Sequence, residues 1–215
     1  MSGVSGEQSQ GAPRRFRDAL EQAQAEWAAA DPVRQAERAG CRASADAVLV
    51  PYFGRLHLVT HPGGIVSAEG RPAHAAVAIL VLHYLVRADG TPAAGVWKAF
   101  RELPDGLFYA ASFASRAEAP VAAVFGGGDL SAGRDLEAFR VAALAAGGEA
   151  LDLADASSSF QALPRLRLAA LLWEGDEDFP AEARIVFDAA AGHYLPAEDL
   201  AGLGEVLTRK LTGAR

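Results

Sequence analysis

The chain has 215 residues, of which 51% are hydrophobic and 22% are charged, and its formal net charge is -7. This balance is typical of a globular protein and excludes an intrinsically disordered chain, and the acidic charge argues against a nucleic-acid-binding face. Cys41 is the single cysteine, which excludes an internal disulfide and any iron–sulfur cluster or thiolate metal site held by this chain alone.

We expect neither a secretory signal nor a membrane-spanning segment. The segment MSGVSGEQSQGAPRRFRD is polar and lacks the apolar centre of a secretory signal. The most apolar run, residues 75–86, is shorter than the roughly 20 residues that span a bilayer. We therefore expect a cytoplasmic protein that contacts neither membrane nor nucleic acid. Residues 1–13 are expected to form a disordered tail.

Residues 14–45 are predicted to form N-terminal helices. Leu20 and Trp27 recur at helical spacing with other apolar residues, which indicates an amphipathic helix over about 14–30. Asp31 precedes a proline, and this pair is typical of the cap and first turn of a second, short helix.

The next part of the chain is predicted to change from strand to helix. Residues 47–60 have the composition of a strand, in which Leu56 and Leu58 share one face and His57 lies on the other. Residues 71–87 are apolar nearly all round, which predicts a buried central helix.

The C-terminal part is predicted to be a hairpin followed by a helix. Residues 157–159, three serines, are predicted as a loop, and 166–173 and 184–188 as antiparallel neighbouring strands. Residues 196–211 form an amphipathic helix whose leucines recur on one face. The simplest fold is a single α+β domain with a mainly antiparallel sheet, against which the central and C-terminal helices pack.

Seven segments resemble, in order, the motifs of the domain-of-unknown-function 3786 family. They are PYFGR at 51–55, LHYL at 82–85, FRELPDG at 100–106, LPRLRL at 163–168, WEGDEDFP at 173–180, VFD at 186–188 and YLPAEDL at 194–200. The resemblance implies one α+β domain over residues 46–215. It supplies no activity, but family members come mostly from anaerobic bacteria and archaea, in settings of one-carbon, corrinoid or redox metabolism. Some carry an additional iron–sulfur module, which this chain lacks.

The acidic charge is concentrated near the C-terminus. Residues 171–200 hold eight of the 27 acids and one of the 20 bases, so 19 of each lie elsewhere. Glu174, Asp176 and Asp188 are candidate ligands for a hard divalent cation, which prefers oxygen ligands. The alternative is a solvated hairpin loop, because the stretch lacks the spacing of known calcium loops.

A second set of candidates surrounds an arginine among aromatic residues. Arg101 either clamps an anionic ligand or pairs structurally with Asp176 or Asp188. We expect the ligand-binding candidates of this region to converge in one cleft. They are Arg101, Tyr109, Trp173, Glu174, Asp176 and Asp188.

Two histidines are further candidates. His83, on the central helix, is either a ligand or base, or a buried neutral histidine with a structural partner. His193 follows the acidic region and is a possible base oriented by Asp188. No nucleophile or catalytic residue can be assigned.

The lack of an assignable nucleophile favours a non-catalytic accessory or ligand-binding domain. The family resemblance implies that it serves one-carbon, corrinoid or redox metabolism with a metabolic or redox protein partner. One alternative is a small enzyme that uses a divalent cation at residues 174–188. The other is a pure protein-interaction module. No cofactor can be named.

Overall fold

The computed structural model describes residues 14–44, 46–126, 136–175 and 178–213. The expected disordered tail lies outside these residues. The chain forms two compact units. The first takes the described residues up to Pro92 together with Leu163–Arg165 and His193–Leu195, and the second takes the others.

The first unit consists, in its described part, of three helices and a five-stranded sheet. The helices are α1 (Arg14–Ala28), α2 (Pro32–Ala39) and α3 (Ala75–Arg87). The strands are β1 (Arg42–Ala43), β2 (Ala47–Tyr52), β3 (Arg55–Thr60), β4 (Val66–Ala68) and β5 (Arg71–Pro72). They follow one another in the sheet in sequence order, and each pair is antiparallel.

Specific hydrogen bonds hold each of the two N-terminal helices. On α1 the side chain of Trp27 is fully buried, and its indole N–H donates to the carbonyl oxygen of Thr60 at 2.9 Å. Asp31 caps α2 by accepting the backbone N–H groups of Val33 and Arg34. These bonds satisfy amide groups that the first turn of a helix leaves without partners.

The stretch predicted as one strand, residues 47–60, is a hairpin of two strands. Phe53 (φ 45°) and Gly54 (φ 76°) both adopt left-handed backbone conformations and turn the chain between β2 and β3. Such a pair of positive φ angles matches the twist of a tight hairpin. The apolar sequence alone did not show this break, because Phe53 is an unusual residue for that conformation.

The buried face of β3 carries a histidine, whereas two leucines lie on its exposed face. His57 is buried at 5% exposure, whereas Leu56 and Leu58 are 57% and 40% exposed. His57 pairs in register with Val50, on the face that packs into the core, and its Nδ1 lies 3.0 Å from the carbonyl oxygen of Arg55. Burial lowers the pKa of His57, which favours the neutral ring.

The central helix α3 is buried, as predicted, but its packing partners differ from those expected. It contacts α1, α2 and β4 within the first unit. The sequence interpretation packed it against the sheet formed by residues 166–188, which belongs to the second unit. That interpretation was wrong because an all-round apolar helix does not specify which apolar surface covers it.

A buried tyrosine hydroxyl joins distant segments of the first unit. Tyr84, on α3, is fully buried, and its hydroxyl donates to the carbonyl oxygen of Ala39 at 2.7 Å. The same oxygen accepts the backbone N–H of Arg165 at 3.0 Å. The ring lies against the ring of Tyr194, with 5.5 Å between centroids. Residues from four separate parts of the chain therefore meet at one side chain.

The second unit combines helices with another five-stranded sheet. Its strands are β6 (Trp97–Ala99), β7 (Glu149–Leu151), β8 (Ala156–Leu163), β9 (Leu166–Trp173) and β10 (Glu182–Asp188), in the order β6–β10–β9–β8–β7. Its α-helices in the described part are α4 (Gly106–Phe113), α5 (Ala119–Phe125), α6 (Leu136–Ala145) and α7 (Ala197–Thr212). Short 3-10 helices cover Phe100–Glu102 and Ala191–His193, and a π-helix, Ala114–Glu118, joins α4 to α5.

The predicted hairpin of the second unit is confirmed. β9 and β10 are antiparallel neighbours, with Leu171 opposite Arg184 and Ala169 opposite Val186. The even-numbered residues of β9 are fully buried, which fits a strand whose one face lies in the main core. The leucine face of α7 is also buried, as predicted, and the helix contacts α4, α5 and α6.

The serine run at residues 157–159 is strand, not the predicted loop. These residues lie in β8 and are at most 5% exposed. The hydroxyl of Ser157 donates to the carbonyl oxygen of Leu151 and accepts the N–H of Leu153. Ser159 accepts a hydrogen bond from the guanidinium of Arg167. These partners satisfy the hydroxyl groups and allow serines to occupy a buried strand.

The α+β class, with mainly antiparallel sheets, a buried central helix and a packed C-terminal helix, is confirmed. Within this single α+β domain, residues 163–165 and 193–195 belong to the first unit, so neither unit is one continuous stretch of sequence.

Tyr84→Phe is expected to lower the free energy of unfolding by about 1–3 kcal/mol, because it removes the partner of the buried carbonyl of Ala39 and of the partly buried N–H of Arg165. Urea denaturation measures the change. Tyr109→Phe is the matched control, since Tyr109 is 44% exposed and should change stability by less than about 0.5 kcal/mol. Equal stability of the two variants would contradict the role of the Tyr84 hydroxyl.

Candidate functional site

Asp188 is a structural carboxylate in this fold. It ends β10 at 3% exposure. Its Oδ1 accepts the backbone N–H groups of Ala94 and Ala190, each at 2.9 Å, and its Oδ2 accepts that of Gly95 at 2.8 Å. Both oxygens therefore hold the loop before β6 and the turn after β10. This arrangement corrects the interpretation of Asp188 as a partner for His193, and it occupies the oxygens that a cation would need.

The partner of His193 is Asp89. Its imidazole Nδ1 lies 2.8 Å from Asp89 Oδ2, within the first unit. The two residues are separated by 104 positions, so only the folded chain brings them together. Sequence proximity had suggested Asp188 in place of Asp89.

The remaining cation candidates do not form a cluster in the described part of the chain. Glu174 is exposed, and its backbone N–H donates to Asp155 Oδ2 at 2.8 Å. Asp176 lies outside the described residues. Among the residues that are described, no group of three or more histidine, cysteine, aspartate or glutamate side chains could hold a metal ion.

Trp173 belongs to a small apolar cluster on the second sheet. It packs with Trp97 against Ala169, Leu171 and Val186, the residues of β9 and β10 whose side chains point away from the main core. A packing role therefore accounts for the position of Trp173.

Arg101 lies near a carboxylate that the sequence analysis did not consider. It is exposed on the 3-10 helix Phe100–Glu102, and its charge opposes, as the smallest effect, the rise that burial causes in the pKa of Glu118. The predicted pairing with Asp188 is not found, since Asp188 is held by backbone amides. A contact with Asp176 falls outside the described residues. Tyr109 lies on the neighbouring helix α4, whereas His83 lies half-buried on α3 of the first unit.

The carboxylate of Glu118 accepts a backbone N–H of β10 where no neighbouring strand is present to do so. β6 ends at Ala99, which pairs with Val186, so Ile185 has no opposite residue on that strand. Glu118 Oε1 accepts the N–H of Ile185 at 3.1 Å. The residue ends the π-helix, a wider turn that often occurs at functional sites. Burial is the main cause that raises the pKa of Glu118, against the smaller opposing effects of Ile185, Arg184 and Arg101.

Several large exposed apolar side chains of the second unit lie on its helices. On the first turn of α4, Leu107, Phe108 and Tyr109 are 72%, 86% and 44% exposed. Further along the unit, exposed apolar residues occur on α5 and α6; they are Val124, Val141 and Leu144. Hydropathy alone did not signal this exposure, because a helix that is apolar on all sides is typical of a buried one.

These features define an α+β domain with an exposed apolar helix turn and with several carboxylates that accept backbone N–H groups. The chain belongs to the family described as Domain of unknown function (DUF3786), whose model matches residues 31–210. No curated protein and no solved structure matches the chain. None of the described helices is long and apolar enough to cross a membrane.

Glu118→Gln is expected to raise the melting temperature at pH 7. The folded pKa of Glu118 is raised, so the stability that its protonated form contributes is complete below the unfolded pKa and is lost as the pH rises through the folded pKa. Glutamine is neutral and keeps an oxygen for the N–H of Ile185. The gain should therefore vanish below about pH 4, where glutamate is protonated in both states.

Melting curves of the wild type and the variant at pH 4 and pH 7 measure this difference. Glu137→Gln serves as a control, because Glu137 is 77% exposed in a surface pair with Arg140. A loss of stability in Glu118→Gln at pH 7 would show that its ionised form is the one that the fold favours.

Proposed function

We propose that this chain is a non-catalytic accessory domain that binds another protein through the exposed first turn of α4. The observation that carries the proposal is the exposure of Leu107, Phe108 and Tyr109 as three consecutive large apolar side chains. Contiguous apolar surface of this kind is rare on monomers and marks interaction sites. Aromatic residues that become buried on binding often supply most of the binding energy.

Helix α4, which carries this surface, is packed closely against Phe100 at both of its ends. The ring of Phe113, at the other end of α4, stacks on Phe100 with 4.2 Å between centroids. The backbone of Gly106 lies so close to the preceding turn that an added Cβ would stand 1.9 Å from the carbonyl oxygen of Phe100. A surface fixed in this way loses little conformational entropy when a partner binds it.

The proposed partner is a metabolic or redox protein of the cytoplasm. The family resemblance supports one-carbon, corrinoid or redox metabolism as the setting, and the single cysteine means that thiolate-bound redox centres would belong to the partner. An apolar groove is the surface that would receive the turn of α4, with Leu107 and Phe108 as anchors.

The alternative of a cation-dependent enzyme at residues 174–188 has less support. Both oxygens of Asp188 accept backbone N–H groups, and releasing them would leave three amides unsatisfied. The binding proposal requires no such rearrangement, because the residues of α4 are already exposed.

The test begins with recovery of the tagged full chain from its native host together with any bound protein. The recovered partner is then purified, and its affinity is measured for the wild type and for Phe108→Ser. We expect a loss of affinity of at least about tenfold, since truncating an aromatic anchor costs about 2 kcal/mol or more.

Leu56→Ser is the matched control, because Leu56 is 57% exposed but lies in the first unit. It should bind the partner as the wild type does. A partner that binds Phe108→Ser with unchanged affinity would contradict docking at α4. A rise in melting temperature with Mg²⁺ that is lost in Glu174→Gln and Asp176→Asn would favour the enzyme instead.

A further inference from the structure

The turn that leads into α4 holds an aspartate in an unusual backbone conformation. Asp105 has φ 58° and ψ -1°, in the left-handed region. Pro104 precedes it, and the N–H of Gly106 donates to the carbonyl oxygen of Leu103 at 3.0 Å. A proline followed by a residue in this conformation, closed by such a bond, is the pattern of a type II turn. Glycine and asparagine adopt the left-handed region most easily, so an aspartate there costs free energy.

The carboxylate of Asp105 forms no bond within the described part of the chain. The residue stands at the N-cap of α4, but its side chain accepts no backbone N–H of the first turn. It is exposed, and no described cation forms an ion pair with it. Its charge lies at the positive end of the helix, where solvent at an exposed position screens the attraction. A strained residue whose side chain has no partner in its own fold indicates a role outside that fold.

A second carboxylate of the same segment shows the contrast. Glu102 accepts the backbone N–H of Ala99 at 2.8 Å. Its Oε1 also lies 3.8 Å from Lys98 Nζ. The side chain of Glu102 is therefore held by its own chain, and that of Asp105 is not.

Asp105 lies directly beside the exposed apolar side chains of α4. Its backbone carbonyl oxygen accepts the N–H of Phe108 at 3.3 Å, which places both residues in one turn. Leu107 and Phe108 are 72% and 86% exposed. The carboxylate therefore borders the apolar surface, in the arrangement of an interface with an apolar centre and a polar rim.

We infer that Asp105 selects the partner, by pairing with an arginine or lysine that borders the apolar groove into which Phe108 inserts. The inference rests on the proposed function, because it requires that the first turn of α4 binds a protein. A partner with a neutral or acidic residue at this point would bury the carboxylate of Asp105 without a partner, which costs free energy. The net charge of -7 on the chain also favours the approach of a basic surface.

The first measurement tests whether the fold needs this carboxylate. Asp105→Asn is expected to change the melting temperature by less than about 3 °C. Asparagine adopts the left-handed region more easily than aspartate, but it gives up the charge at the positive end of the helix. A larger fall in melting temperature would overturn the inference, because it would assign the carboxylate to the fold.

The second measurement uses a defined probe, a phage-displayed library of random peptides. Peptides are selected on the full chain in the presence of excess soluble Phe108→Ser, so that only those that need the apolar turn are retained. We expect these peptides to combine apolar residues with arginine or lysine. Asp105→Asn should bind the synthetic peptides at least about threefold more weakly at low ionic strength, and the difference should shrink as salt is added.

Glu102→Gln is the matched control, because it removes the same charge from the same segment and keeps an oxygen for the N–H of Ala99. It should bind the peptides as the wild type does. An equal loss of affinity in Glu102→Gln would overturn the inference, since it would show only the general effect of charge. Peptides that need Phe108 but bind Asp105→Asn with unchanged affinity would overturn it as well, and would leave the proposed function standing. A library that yields no peptide dependent on Phe108 would contradict the proposed function, and this inference with it.

Discussion

The first unit depends on the burial of one phenol group. Tyr84 lies on an otherwise apolar helix, and a hydroxyl at full burial is tolerated only when its hydrogen bonds are made. Here it donates to Ala39 at the end of α2 and accepts from Arg165, a residue distant in sequence. Burial is also the main cause that raises the pKa of Tyr84, so the hydroxyl keeps its proton. The placement of α2, residues 163–165 and Tyr194 follows from this side chain.

Several acidic residues of this fold also accept hydrogen bonds from backbone N–H groups. Asp188 satisfies three amides next to β6, and Glu118 takes the place of a strand where β6 has ended. Asp31 caps α2, and Asp89 fixes the turn at Thr91. A carboxylate can serve an irregular segment in this way because its oxygens accept from any direction that the turn provides. A concentration of acidic residues in a sequence is therefore weak evidence for a metal site.

Sequence patterns predicted the elements whose signals are local. The apolar run before the acidic turn, the returning strand and the leucine repeat of α7 each carry their period within one segment, and all three were placed correctly. Contacts between residues that are distant in the sequence were not predictable from such local patterns. Nothing local relates Asp89 to His193, and the burial of His57 in preference to Leu56 depends on which face of the hairpin meets the helices.

The same contrast between local sequence patterns and long-range contacts applies to the candidate site. Tyr109 and Arg101 were selected because they lie in an aromatic segment of the sequence. Tyr109 is part of the apolar turn of α4, and Arg101 lies near enough to Glu118 to affect its pKa. The three backbone N–H groups that Asp188 accepts belong to two loops, so its own segment of sequence does not show them. Exposure of Leu107 and Phe108 could not be read from hydropathy, since the same residues would fit a buried helix equally well.

Amide hydrogen exchange at Arg165 tests the central role of Tyr84 most directly. The N–H of Arg165 lies in the turn between β8 and β9 and has a side-chain oxygen as its acceptor. We expect it to exchange as slowly as the amides of Leu82 and Leu85 within α3, because it can open only when the buried hydroxyl is released. Exchange at the rate of an exposed turn would contradict the account.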